Sequence, residues 1–162
     1  MGSLLDAATA EFLETGCGLL VGTATADGEP VATRGWGCTV LEQSPTTVRL
    51  RVLLSLDDPR GIEHVRPGDA VAVTATSVLT LHSVQVKGRV QAIEPGDAAD
   101  AERMAEYCAA LFGDIIATDA PPPELPERLR PTGVLAWVVE ADEAFDQTPG
   151  PSAGAPIPAA AP

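Results

Sequence analysis

From Leu79 to Ile93 the chain reads LTLHSVQVKGRVQAI, and apolar residues alternate with polar ones over most of it. Val84, Val86, Gly88, Val90 and Ala92 fall on one side of a period-two pattern, while Ser83, Gln85, Lys87, Arg89 and Gln91 fall on the other. This predicts one long strand with a dry face and a donor-rich face. Lys87 is the only lysine in the chain, the other cations being arginines, and it sits mid-strand. Its row either faces water or converges on an anionic ligand or a second subunit.

The rest of the chain has to supply partners for that strand. At 162 residues it is long enough to bury a core without staples. Residues 1–147 read as one folded domain and 148–162 as a Pro/Gly/Ala-rich tail, too poor in apolar surface to fold alone and expected to be mobile at its end. A net charge of -13 opposes binding to nucleic acid or to acidic membranes. No charged leader, spanning apolar run or myristoylation pattern stands out: Asp6 occupies the position where that signal needs Ser or Thr. A cytoplasmic protein is expected.

Cys17, Cys38 and Cys108 lack CxxC spacing, and His64 and His82 belong to no metal-ligand pair, so neither a zinc site nor a disulfide framework is indicated. No metal is expected.

In chain order, Ser3 is placed to cap a short helix carrying Leu4, Leu5, Ala8, Phe12 and Leu13, with Gly16 at its end. Two β-rich runs then flank Asp27-Gly28, a strong hairpin signal. A two-residue loop would set Cys17 opposite Cys38 and allow a disulfide, whereas Glu29-Pro30 favours a longer loop. The second run, Val31 to Leu41, holds Thr33, Arg34, Gly35, Trp36 and Gly37. Its glycines leave room for a flat ligand or another backbone, and Trp36 is either a stacking wall or ordinary core.

Thr46 to Ser55 alternates as a third strand that carries Arg49 and Arg51 outward. Asp58-Pro59 starts a short helix through Val65. Arg60 there either assists an anion at the helix start or pairs with Asp57 or Glu63. Ala70 to Thr76 is a further strand. Asp97 caps a helix with Ala101, Met104, Cys108, Leu111 and Phe112 on one face, closed by Gly113, so Cys108 reads as core. Pro121 to Pro126 is a stiff connector, and Gly133 to Glu140 is a last strand buried on both faces.

Six strands with little room for parallel crossovers predict a mainly β fold, an antiparallel barrel with helical decorations. In order and spacing, GLLVGTATADGEPVATRGWG, VRLRVLLSLDDPRGIEHVRPGDAVAV and SVQVKGRV, from about Phe12 to Ile93, resemble the pyridoxamine 5'-phosphate oxidase-like, FMN-binding split-barrel superfamily.

The resemblance implies a six-stranded split barrel that forms a homodimer and binds FMN between subunits, or F420 or haem in relatives. It implies a flavin-dependent oxidoreductase acting on a small molecule, in which the cofactor carries the chemistry and no residue need be an acid or base. Thr33, Arg34 and Trp36 would contact the ring edge, Ser55 and Arg60 the phosphate, and Gln85 and Lys87 the cofactor or the dimer seam. A binding or sensing module without turnover is the alternative, with His64 or His82 as an axial haem ligand, as is a dimer that has lost its ligand. One departure is visible: the family's phosphate lysine is replaced by Gly61, three residues before His64-Val65, so the phosphate would depend on Arg51 or Arg60.

Overall fold

The computed structural model describes residues 2–160. Met1 and the last two residues of the expected tail lie outside them. The elements are α1 (Ala7–Glu14), β1 (Gly18–Ala24), β2 (Pro30–Gln43), β3 (Val48–Ser55), α2 (Pro59–Ile62), β4 (Ala70–Thr76), β5 (Ser83–Pro95), α3 (Ala98–Asp119), α4 (Glu124–Glu127) and β6 (Val134–Asp146). The strands close into a barrel in the order β1-β2-β3-β6-β5-β4, every neighbouring pair antiparallel. Closure removes the exposed edges that an open sheet of this composition would present. The mainly β, six-stranded antiparallel expectation holds.

The interior is filled by the apolar phase of each strand. Val48, Leu50, Val52 and Leu54 of β3 meet Val84, Val86 and Val90 of β5 and Trp137 of β6, all essentially inaccessible to solvent. Each such side chain contributes on the order of 2 kcal/mol relative to exposure. A second cluster lies outside the barrel wall, where α3 covers Trp36, Leu53 and Ala136 with Met104, Cys108, Leu111 and Phe112.

The strand phases are interrupted by bulges. Gly35 pairs with Leu54 but Gly37 pairs with Leu53, which makes Trp36 an extra residue on β2. Gln91 is extra on β5 and Asp142 on β6. Past Gln91 the faces exchange: Ile93 packs against the core, and Ala92 does not continue the dry row. The long strand also starts later than the alternation suggests. Leu79 to His82 form a turn in which Leu81 takes a left-handed φ of 62° and donates to the Ser77 carbonyl.

The helix ends differ from expectation in three places. Asp6, not Ser3, caps α1, accepting from the Thr9 amide at 2.7 Å, while Ser3 bridges to Ala160. The short helix α2 stops at Ile62 instead of Val65. Gly113 does not close α3, which runs on to Asp119 and ends on left-handed Ala120; packing of Ile115 on the second cluster carries the helix past the glycine. Ala101 is exposed, and Tyr107 takes a place on the buried face.

The last strand outruns β3, whose pairing with β6 ends at Ala141. Residues beyond Thr148 fill this gap. The Asp146 amide donates to Ala155, Ile157 to Ala144 and Ala160 to Ser3, so the tail adds to the free stretch of β6 and meets the start of the chain.

Candidate functional site

Because β1, β4, β5 and β6 lie side by side, cross-strand partners form continuous rows on the barrel exterior. One row runs Phe145, Gln85, Thr74, Leu20, Arg34. The next runs Glu143, Lys87, Ala72, Gly22, Ala32. The first row carries side chains that can contact a ligand, and the second adds Lys87 beside the small residues Ala72, Gly22 and Ala32 that lower the surface there. An open groove of about 580 Å³ continues from there, with Gly22, Ala72 and Gly88 in its lining and Lys87, Asp69, Asp142 and Glu143 around them.

Arg34, Gln85 and Lys87 are thus brought to one face. Arg34 is exposed, with its guanidinium 5.4 Å from the Trp36 ring centre, and Lys87 Nζ lies 4.6 Å from that of Phe145. Among the described residues neither forms an ion pair. Gln85 Nε2 donates to Thr74 Oγ1 at 2.8 Å, which orients the amide along the row. Between the cations stands Leu20, 54% exposed although it is mid-strand. With strands ~4.8 Å apart, Arg34 and Lys87 are on the order of 15 Å apart, too far to grip one phosphate and suited to the ends of a planar ring system.

The remaining candidates lie elsewhere. Trp36 is only 7% exposed, edge-on to Phe112 at 6.4 Å beneath α3, so it belongs to the packed layer. The glycines beside it make room for protein side chains: a Cβ on Gly35 would press on Leu19, and one on Gly37 on Leu53. Arg51 is engaged by Asp100, through Nε and Nη2 at 2.7 Å each, and by Glu94 at 2.6 Å.

Thr33, Ser55 and Arg60 sit at one end of the barrel near α2. Thr33 Oγ1 donates to Asp58 Oδ2 at 2.6 Å and Ser55 Oγ to Asp57 Oδ2 at 3.1 Å. Asp58 also caps α2 by accepting from the Gly61 amide. The Thr132 backbone amide, then its hydroxyl, hold the Asp57 carboxyl below the usual carboxylate range. Arg60 is exposed and forms no ion pair among the described residues.

His64 Nε2 lies 2.8 Å from Thr23 Oγ1, and its Nδ1 is buried without a partner. His82 meets Thr148 Oγ1 at 3.1 Å and tilts against Phe12. Neither lines the groove. All three cysteines are free and buried. The hairpin loop is the longer one, Ala24 pairing with Pro30, and no Cys17–Cys38 disulfide forms. Burial pushes the Cys38 thiol up to about 12 and raises Cys17 and Cys108, which suits packing and not nucleophilic attack. Among the described residues no cluster of His, Cys, Asp or Glu is arranged to hold a metal, and no helix is long and apolar enough to cross a membrane.

Sequence reasoning missed Leu20, Thr74 and Phe145. Leu20 had a signal, since it breaks the inward phase of Leu19 and Val21. It also missed that Asp57 and Asp58 take up the two hydroxyls, a pairing that only the fold around α2 produces.

No protein-family model matches the sequence, and no curated protein matches it. Solved structures do. A candidate pyridoxamine 5'-phosphate oxidase from Lactobacillus delbrueckii aligns with TM-score 0.50 at 18% identity, over 90% of this chain and 99% of that one. HupZ of Group A Streptococcus aligns with TM-score 0.50 at 14% identity, over 93% and 99%. An F420 reductase aligns with TM-score 0.50 at 19% identity, over 83% and 93%. At these identities the likeness is one of fold: the chain has the split-barrel architecture of the pyridoxamine 5'-phosphate oxidase-like proteins.

Proposed function

We propose that this chain is a homodimeric split barrel that holds an isoalloxazine cofactor on the outer face of β1, β4 and β5 and serves as an oxidoreductase for a small molecule. FMN is the form that the sequence resemblance implies. The observation that carries the reading is the pair Arg34 and Lys87. In a chain of net charge -13, these two cations have no carboxylate partner among the described residues while flanking an exposed leucine.

The ring end of the cofactor fits this face. Leu20 and the small residues Ala72 and Gly22 offer a low apolar bed, Gln85 and Thr74 offer hydrogen bonds, and the cations stand where negative charge on the ring edge would lie. When bound, the flavin supplies hydride or electron transfer. Lys87 and Arg34 then act as positioning and charge-compensating groups, and Leu20 keeps water off the ring. The phosphate end does not fit, because Thr33 and Ser55 are bonded to carboxylates and Arg51 is held by two acids; no step is routed through the phosphate.

A second copy of the chain would complete the site. Leu20, Leu79 and Leu81 are each more than half exposed, and the neighbouring groove mixes Lys87 with Asp69, Asp142 and Glu143. Apolar and mixed-charge surface of this kind favours burial against a like surface.

The visible spectrum of the purified protein, followed by titration with FMN and F420, tests the reading. Flavin absorbance or uptake, reduction by a nicotinamide donor, and a mass of two chains in light scattering are expected. Lys87→Ala weakens ring binding at least about tenfold, the worth of one charge-assisted contact. Colourless protein that takes up neither flavin nor F420 overturns it, and a Soret band lost on substitution of His64 or His82 replaces it with a haem protein.

A further inference from the structure

We infer that Asp57 and Asp58 close the corner at the end of β3 to a phosphate monoester, so that the ligand of the outer face is an isoalloxazine whose side chain ends in neutral hydroxyls, riboflavin rather than FMN. This rests on the ring-binding reading above and concerns the other end of the same ligand.

A phosphate dianion needs converging cations or free donors. Arg49, Arg51, Arg103 and Arg130 are each in ion pairs, with Glu42, with Glu94 and Asp100, with Glu106 and with Glu127. Arg66 donates to the Glu63 and Val65 carbonyls and Arg89 to that of Gly68. Among the described residues Arg60 and Arg128 form no ion pair; both are exposed, Arg60 two residues after Asp58 in the chain and Arg128 four residues before Thr132, so neither is held inside the corner beside Thr33 and Ser55.

The donors at that corner are equally committed. Thr33 and Ser55 are 5% and 6% exposed, and their hydroxyls point at Asp58 and Asp57. Asp58 also takes the Gly61 amide, and Asp57 takes both the amide and the hydroxyl of Thr132. The Thr33–Asp58 side of the corner is closely packed, while Asp57 stands exposed at its rim. A Cβ on Gly61 would lie 2.5 Å from Asp58 Oδ2 and from the Thr33 Cβ. An incoming phosphate would therefore displace carboxylates from satisfied bonds while facing their charge. A ribityl hydroxyl differs, because it can donate to Asp57 or Asp58 without adding charge.

The test compares lumiflavin, riboflavin and FMN by fluorescence titration on the full chain, as wild type and as the double variant Asp57→Asn with Asp58→Asn. Asparagine keeps the cap of α2 and the shape of the corner, and thermal melts of both proteins check folding. Wild type should bind riboflavin at least about tenfold more tightly than FMN, with the difference shrinking as salt rises. The double variant should bring the two ligands to within about threefold. FMN binding more tightly than riboflavin to wild type, or a ratio unmoved by the double substitution, overturns the inference and leaves the ring-binding reading standing. Failure of all three flavins to bind overturns that reading and this one with it.

Discussion

Arg51 and Asp100 lie 49 residues apart in sequence and form a two-pronged ion pair, Nε to Oδ1 and Nη2 to Oδ2, both at 2.7 Å. Asp100 is also one half of the capping box at the start of α3, where its other bond is to the Asp97 amide. One carboxylate thus starts the long helix and fastens it to the barrel wall through β3. An arginine that reads as a cofactor ligand in sequence is in this way a structural clasp.

Loss of that clasp should be costly. Arg51→Ala leaves a buried acid without its main partner, and we expect about 3 kcal/mol of destabilisation by urea unfolding. Arg51 hydrogen bonding holds the Asp100 carboxyl below its ordinary 3.8. Its folded value lies under its unfolded one, so this stability is complete above that value and is lost as pH falls through the folded one. The wild type should lose stability below about pH 4 more steeply than Arg51→Ala does. Equal slopes for the two proteins would contradict this.

Two glycine substitutions should move stability in opposite directions. A Cβ on Gly88 collides with the Glu140 carbonyl and Ala141 Cα, at the point where the Asp142 bulge draws the two backbones together. Gly88→Ala is expected to cost 3 kcal/mol or more, roughly, because backbone cannot step aside cheaply. Gly113 in α3 faces open space, so Gly113→Ala should add about 0.5–1 kcal/mol through helix propensity. Thermal unfolding of both variants decides it.

The thiols should be silent in the native state. Burial raises Cys17, Cys38 and Cys108, the second to about 12. Ellman's reagent at mild alkaline pH should label none of them in folded protein and all of them in denaturant. Rapid labelling of a native thiol would show an exposed, ionised cysteine.

Trp36 should matter for packing and not for the ligand. It sits among Leu53, Leu111 and Phe112 under α3. Trp36→Phe should lower stability by about 1–3 kcal/mol while leaving riboflavin affinity within about twofold. A tenfold loss of affinity in a folded variant would return Trp36 to the binding site.

Much of this protein is determined by its sequence alone, because much of it is local. Period-two alternation located β3 and β5, β-rich runs located β1, β2 and β4, and a near-continuous apolar run located β6, while Asp58, Asp97 and the Asp27-Gly28 turn marked their own places through bonds or backbone angles formed within a few residues. The tertiary structure decided what depends on distant partners. It chose Asp6 over Ser3 as a cap and set the bulges at Trp36, Gln91 and Asp142 that re-aim the strand faces. It sorted Arg51 into a clasp while leaving Arg34 and Lys87 without an ion pair among the described residues, and set acids against Thr33 and Ser55. Alternation says which side of a strand is dry, but which neighbour meets each polar side chain is a matter of barrel closure, and that choice separates a structural cation from one available to a ligand.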